Sequence, residues 1–550
     1  MLAGKLSHFF LLTVMVTAIV SPLVIWRYGR AVLAGMQRSA GEAVPPAAPP
    51  ITPQAEPARA SVAAAARRTW ERAAQRRMLA AWLLAVGGVA LPMALLDNLA
   101  SGLPLLPAQL LVPLGATLFV ALPPIALSLG WAWPRGLRNA FVLSLVAAFV
   151  VLAASVLQRL AAGRAPSADQ AINLLLFYQA AAVMLAVPLA LFLASGAARI
   201  RGVVPMTFGG LIVFGAAPFL AVDLWTALAG TEAGTRAILQ AGWLSSRHTL
   251  FALLALPFGA LMWWRLHALA AAYAAKRVSD VQLLARTWWL MFVAVQLMQL
   301  IASGPAARWW WLAAACIGIV VLFGPMQRAA FTLVPVARAA PPPATLLLLR
   351  VFGFRSRTER LFDRIGARWR LHGPVTMIAA PDVTARTIDP SDFLGWLLGR
   401  VDEAFVRDAG ELRARLAALD LGRDPDGRHR INEFCCADNT WRATVAELMQ
   451  RADVVLMDLR GITGERKGCE FELEQLALRV APQRVVLVVE PGADRRALAA
   501  LLGAAAARVH WFEMDARGRD HGRLFDALLA AGAAAPDAGS ALAGAVAQRT

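Results

Sequence analysis

The chain has 550 residues, 58% of them hydrophobic and 16% charged, with a mean hydropathy of +0.56 and a formal charge of +18. Such values argue against a wholly soluble domain and for a multi-pass membrane protein. Residues 1–343 hold 25 Lys+Arg against 8 Asp+Glu and the remainder 29 against 28. The basic excess therefore belongs to the apolar half, where Arg flanks hydrophobic runs, and nucleic acid is not an expected partner.

The first apolar run, 8–26, reads as an uncleaved anchor within residues 1–39, because no small-x-small site follows it before Arg30. Residues 40–66 are Pro/Ala-rich and bury too little to offset chain entropy. They open a cytoplasmic linker and basic helix spanning 40–77. Eight further runs long enough to span a bilayer follow, near 78–96, 107–131, 139–161, 171–194, 203–225, 249–268, 287–304 and 308–325, giving a polytopic domain over 78–326. With the C-terminal region placed in the cytoplasm, inside loops carry 17 basic residues against 6 outside. That bias predicts an inner-membrane protein with its N-terminus outside and the lipid bilayer as a partner. Asp97, Asp223 and Asp280 lie toward run ends, so the intramembrane charge expected of an ion or substrate path is scarce.

Residues 327–344 form a second linker whose 335–344 stretch, with its run of prolines, reads as unfolded. From Thr345 the pattern changes to short apolar runs alternating with amphipathic stretches. Strands are predicted at 345–352, 374–380, 431–436, 453–458, 484–490 and 508–514, and helices at 356–371, 391–417, 439–451, 467–480, 493–503 and 519–530. Continuous apolar strands separated by helices indicate an α/β domain over 345–530, doubly wound on a mostly parallel sheet. Ligands bind at the C-terminal ends of such strands, here the loops after 352, 380, 436 and 458. Residues 531–550 read as a disordered Ala/Gly-rich tail. Cys316, Cys435, Cys436 and Cys469 suggest no disulfide framework, and His429 with the adjacent Cys435 and Cys436 lacks zinc spacing, so no metal site is expected.

One stretch, Ala452 to Leu476, combines a strand-end acid, Asp458, a loop with Arg460 and Gly461, and a helix opening near Lys467. Free amides at a helix start attract anions. At 100° per residue Cys469, Leu473, Leu476 and Val480 share the core face, with Glu470 and Glu472 flanking it on either side and Glu474 farther out. Periodicity does not choose between Glu470 and Glu472, and acids near a helix start are also favoured simply by its dipole.

The string Gly468-Cys469-Glu470-Phe471-Glu472-Leu473 resembles the Cys-x-x-Glu-Leu motif of Toll/interleukin-1 receptor (TIR) domains, with Gly468 in place of the family's Trp. The same residues resemble the Gly-x-x-x-Glu-Leu of nucleoside 2-deoxyribosyltransferases, which also carry an acid at the strand end, as Asp458 does. The first strand departs from the TIR pattern, having Arg350-Val351-Phe352-Gly353 where Ser-Tyr is usual, and Asp458 stands where that family has serine. The resemblance implies a flavodoxin-like TIR fold and cleavage of an N-glycosidic bond in NAD or a nucleoside, with Glu472 and Asp458 as the catalytic carboxylates. It implies a nucleotide-type substrate, no firm cofactor and possible homo-oligomers. Arg460, Gly461, Gly468 and Cys469, with Arg350 and Arg355 after the first strand, are the expected ligand-binding residues. The alternatives are a non-catalytic TIR-like assembly module, using Phe471 and Leu478 as an apolar surface, and a transporter with a regulatory cytoplasmic domain.

Overall fold

The computed structural model describes residues 2–38, 63–100, 230–241, 247–287, 309–350, 355–379, 390–401, 405–436, 439–462, 467–514 and 520–533, with a few positions between 203 and 211 and at 289–290. The runs expected at 107–131, 139–161 and 171–194, most of those at 203–225 and 287–304, the Pro/Ala-rich residues 40–62 and the tail from 534 lie outside the described residues.

The chain divides into two compact units. One comprises Met1–Arg27, Leu79–Val334 and Thr387–Leu398. Its helices are α1 (Leu2–Arg38), α2 (Ala64–Ala100), α3 (Glu232–Ala241), α4 (Arg247–Ala274) and α5 (Trp309–Leu333), with the ends of α1 and the first turns of α2 belonging to the other unit. Among the described residues two helical stretches are long and apolar enough to cross a membrane, Met15–Gly35 and Ala64–Leu96. The second includes Arg67, Arg68, Glu71, Arg72, Arg76 and Arg77, whereas Met78–Leu96 is uncharged and by itself reaches the roughly 20 residues that a bilayer core needs. Within this unit Trp82 of α2 meets Phe331 of α5 edge-on at 5.3 Å. Interior prolines (Pro92, Pro257, Pro325) are carried inside these helices, each removing one backbone donor.

The second unit comprises Tyr28–Met78, Pro335–Arg386 and Gly399–Thr550. It is built on a parallel sheet of seven strands: β1 (Leu346–Arg350), β2 (Val375–Ala379), β3 (Phe405–Val406), β4 (Ile431–Cys436), β5 (Val454–Asp458), β6 (Val485–Val489) and β7 (His510–Glu513). The helices of this region are α6 (Arg355–Trp369), α7 (Pro390–Leu397), α8 (Ala409–Ala417), α9 (Trp441–Arg451), α10 (Lys467–Arg479), α11 (Arg495–Leu502) and α12 (His521–Ala531). Alternate strand residues face opposite sides. Leu346, Leu348, Leu456, Val486 and Val488 pack with Leu361, Phe362, Trp369, Phe525 and Leu528 of α6 and α12. Leu347, Leu349, Val455, Met457 and Leu487 pack with α8 to α11 through Leu412, Val445, Leu448, Leu473, Leu476 and Leu498. Burial on both faces is why the strands read as unbroken apolar runs.

All six predicted strands are present. The predicted helix at 391–417 is instead α7, the two-residue strand β3 and α8, and α7 belongs to the first unit, where it packs against α4. The sheet order is β3-β4-β2-β1-β5-β6-β7. A flavodoxin-like winding would put the third principal strand beside β1. Here β4 lies outside β2 and β5 pairs with β1, so without the edge strand β3 the order is that of dinucleotide-binding sheets.

The expected unfolded stretch 335–344 is a correction: it is packed on the start of α2. Trp70 Nε1 donates to the Arg338 carbonyl, Arg77 donates to the Val336 and Arg338 carbonyls, and Arg67 donates to the Pro342 carbonyl. Val336 and Ala344 are buried. Proline-rich backbone lacks donors but not acceptors, and the basic helix supplies those donors. Ala64–Ala66, expected within the unfolded linker, are the first turn of α2.

Candidate functional site

The winding of the sheet singles out one place. α6, which follows β1, covers one face, while α10, which follows β5, covers the other. β1 and β5 are neighbours and the helices after them lie on opposite faces, so the winding reverses between them, which is where sheets of this order bind their ligands. Arg350 and Asp458 are the last residues of these strands and are partners in the parallel register. Arg355 is the first residue of α6, and Lys467 the first of α10. The sequence-predicted residues Arg350, Arg355, Asp458, Arg460 and Gly461 are therefore brought to one rim at the level of the backbone.

Within that rim Asp458 is fully buried and its carboxylate is held from two sides by one guanidinium. Arg460 Nε donates to Asp458 Oδ1 and Nη2 to Oδ2, each at 2.8 Å, and the Arg460 amide also donates to Oδ1 at 3.2 Å. Arg460 is itself only 5% exposed. A bidentate pair of this kind is the strong form of charge-assisted hydrogen bond, and it spends both oxygens of Asp458 on the loop. The arrangement makes Asp458 and Arg460 a neutral clamp that fixes where the strand turns into the loop. Gly461, at φ +77°, then takes a left-handed turn that a side chain would strain.

On α10, Cys469, Glu472, Leu473 and Leu476 are buried, whereas Glu470 is half-buried and Glu474 exposed. Burial thus separates the two glutamates that periodicity left undecided. Glu472 is 3% exposed and sits five residues into the helix, about 7 Å of rise below its start. Gly468 lies near Trp441, whose ring an added Cβ would touch at 3.9 Å. Phe471 is half-buried and packs edge-on against Trp441 of α9, with centroids 5.4 Å apart, and Arg442 lies over both rings. Leu478 is 61% exposed.

The described cysteines of the unit, Cys435, Cys436 and Cys469, are buried thiols. Burial pushes Cys436 up to about 11 despite its contact with Thr444, which keeps it protonated and unreactive at neutral pH. Among the described residues no group of three or more His, Cys, Asp or Glu is placed to hold a metal ion.

A second polar cluster, which sequence reasoning missed, lies at the opposite edge of the sheet, before the first residues of β1 and β2. Glu71 of α2 accepts from Arg368 Nε at 2.7 Å and Nη2 at 3.0 Å, and lies 3.5 Å from His372 Nε2. Gly373 beside it allows a close chain approach, since an added Cβ would lie 1.9 Å from the Ala344 carbonyl oxygen.

No protein-family model, curated protein or solved structure matches this chain.

Proposed function

We propose that the chain is an integral membrane protein whose α/β unit lies in the cytoplasm, binds a nucleotide-type ligand such as NAD in the crevice beyond β1 and β5, and cleaves its N-glycosidic bond with Glu472. The observation that carries this reading is the reversal of winding between β1 and β5, which puts the starts of two helices and the Asp458–Arg460 clamp at one rim. Helix-start amides suit the phosphates of such a ligand. Loss of the base leaves oxocarbenium-like positive charge on the ribose, which a carboxylate stabilises until water adds. Glu472 is the buried acid nearest the start of α10, and the TIR-like motif assigns that role to it. Between β1 and α6 the sequence carries only Gly353, so phosphate contacts here do not rest on the usual three-glycine fingerprint.

The membrane placement is supported by the two long apolar helices and by the unit boundaries. Tyr28–Met78, which runs from within the first stretch into the second, groups with the α/β region, and this supports placing that region and the segment joining the two stretches on one side of the bilayer. The basic residues of 64–77 favour the cytoplasmic side. A polytopic membrane domain extends the same reading to the remaining apolar runs.

The test is base release from NAD by the full chain in lipid nanodiscs. Glu472→Gln keeps the shape of the side chain and is expected to lower turnover by at least about 100-fold with the circular dichroism unchanged. Equal turnover in both proteins would remove Glu472 as the catalytic group. The second reading, a non-catalytic assembly module, is favoured by exposed Leu478 on α10. Ligand binding without any base release by the wild type would decide for it.

A further inference from the structure

The cluster at the N-terminal edge of the sheet joins α2 to the α/β unit and has no part in the crevice chemistry. Glu71 and His372 are 2% and 0% exposed. Glu71 is the lone acid among the first fourteen residues of α2, 64–77, which otherwise carry Arg67, Arg68, Arg72, Arg76 and Arg77. It faces Arg368 of α6, whose guanidinium lies 3.8 Å above the ring of Phe525 from α12. Trp70 closes over His372 from the α2 side with centroids 5.9 Å apart. Trp369 and Phe525 enclose the imidazole from the sheet side at 6.0 Å and 5.6 Å. Arg68 on the next face pairs with Asp526 at 2.8 Å.

Removal of the α2 segment would take away Trp70 and Glu71 together and open His372 to water. In the docked state Nε2 lies 3.5 Å from the Glu71 carboxylate, and Nδ1 has no hydrogen-bond partner among the described residues. The charges facing the ring are Glu71 and Arg67 from α2 and Arg368 from α6, with Arg423 of the loop before β4 coupled to Arg67 and Asp453 opposing it. Arg67 is itself buried, with Nε and Nη1 lacking a partner among the described residues. A positive charge on His372 would therefore be the third in a closed space that already holds two arginines against one glutamate.

We propose that residues 64–78 of α2 form an acid-releasable latch on the α/β unit, with Glu71 as the closing group and His372 as its proton sensor. The sign follows from the docked environment. Burial pushes the imidazole below its ordinary range, Glu71 pulls it back up by less, and Arg67 and Arg368 add to the downward push. Undocked and solvated, it titrates near about 6.5. The undocked state thus takes up the proton first, so the latch is closed above that value and weakens as pH falls toward the lower, docked value. Across that window the docking equilibrium changes by about tenfold per unit of pH. Because the latch grips the edge of the sheet opposite the crevice, it holds the unit to a membrane helix without covering the ligand rim, and it stands independently of the proposed chemistry.

The experiment measures the distance between spin labels, carried by non-natural residues at exposed Thr69 and Ala500, in the full chain in nanodiscs. The wild type should give one narrow distance at about pH 8 and a second, broad population at about pH 5. His372→Phe, which can occupy the same aromatic cage, should stay narrow at both. Glu71→Gln should show the broad population already at about pH 8. A wild-type distribution unchanged by acid, acid release in His372→Phe equal to that of the wild type, or a narrow Glu71→Gln distribution would each overturn the latch. Release accompanied by loss of circular dichroism would also overturn it, as general unfolding.

Discussion

Asp458 and Arg460 stand two residues apart in sequence, yet their meaning depends on burial. An acid at a strand end reads as chemistry when it faces a cleft and as a fastener when both oxygens are already taken. Here both oxygens accept from one guanidinium that is itself nearly out of water. Removing one partner leaves the other as an uncompensated buried charge, so Asp458→Ala is expected to cost about 3–5 kcal/mol. The double variant Asp458→Ala, Arg460→Leu should recover much of that loss, because both charges leave together. Thermal melting of the three proteins in detergent measures this. A single variant that melts with the wild type would show that the pair does not secure the loop. Glu472 was undecidable against Glu470 from periodicity because the two flank the core stripe at similar angles. Only the packing of α10 on the sheet, with Cys469, Leu473 and Leu476 inward, turned Glu472 into the buried one.

At the scale of elements, the six longer strands were legible because each is an unbroken apolar run buried on both faces, and most helices because their stripes are regular. The stretch 391–417 reads as one helix because β3 is only Phe405-Val406, too short for a pattern of its own. Two local signals were nevertheless present. Gly399, at φ +72°, follows α7, and Asp408 caps α8 by accepting from the Glu411 amide at 2.8 Å, while the Glu411 side chain accepts from the Arg407 amide. Asp408→Ala should therefore destabilise by about 1 kcal/mol, seen as a small fall in the melting midpoint with ligand binding intact. A variant that melts unchanged would mean the cap contributes nothing to holding α8 after β3. The order of strands was not legible, since which runs become neighbours is set by handed connections and long-range packing rather than by any single segment. The latch was illegible for a related reason. Glu71 and Trp70 hint at a buried face within a basic stretch, but their partners Arg368 and His372 lie some 300 residues on.

The chain joins a strongly apolar first 343 residues to a C-terminal stretch of near-neutral charge, and the division into two compact units falls within α2. Its first turns belong to the α/β unit and its apolar remainder to the other, so one helix serves both. The proline-rich approach to β1 is ordered for the same reason, because the basic residues of α2 find their acceptors there. The proposed ligand site is a crevice where the winding reverses between β1 and β5. Hydrogen–deuterium exchange of the full chain in nanodiscs, with and without saturating NAD, tests that crevice directly. The expected result is slowed exchange at the end of β1, in the loop following Asp458 and in the first turn of α10, with the N-terminal edge of the sheet unaffected. Slowed exchange confined to other segments, or none at all at saturating ligand, would contradict a nucleotide site between β1 and β5.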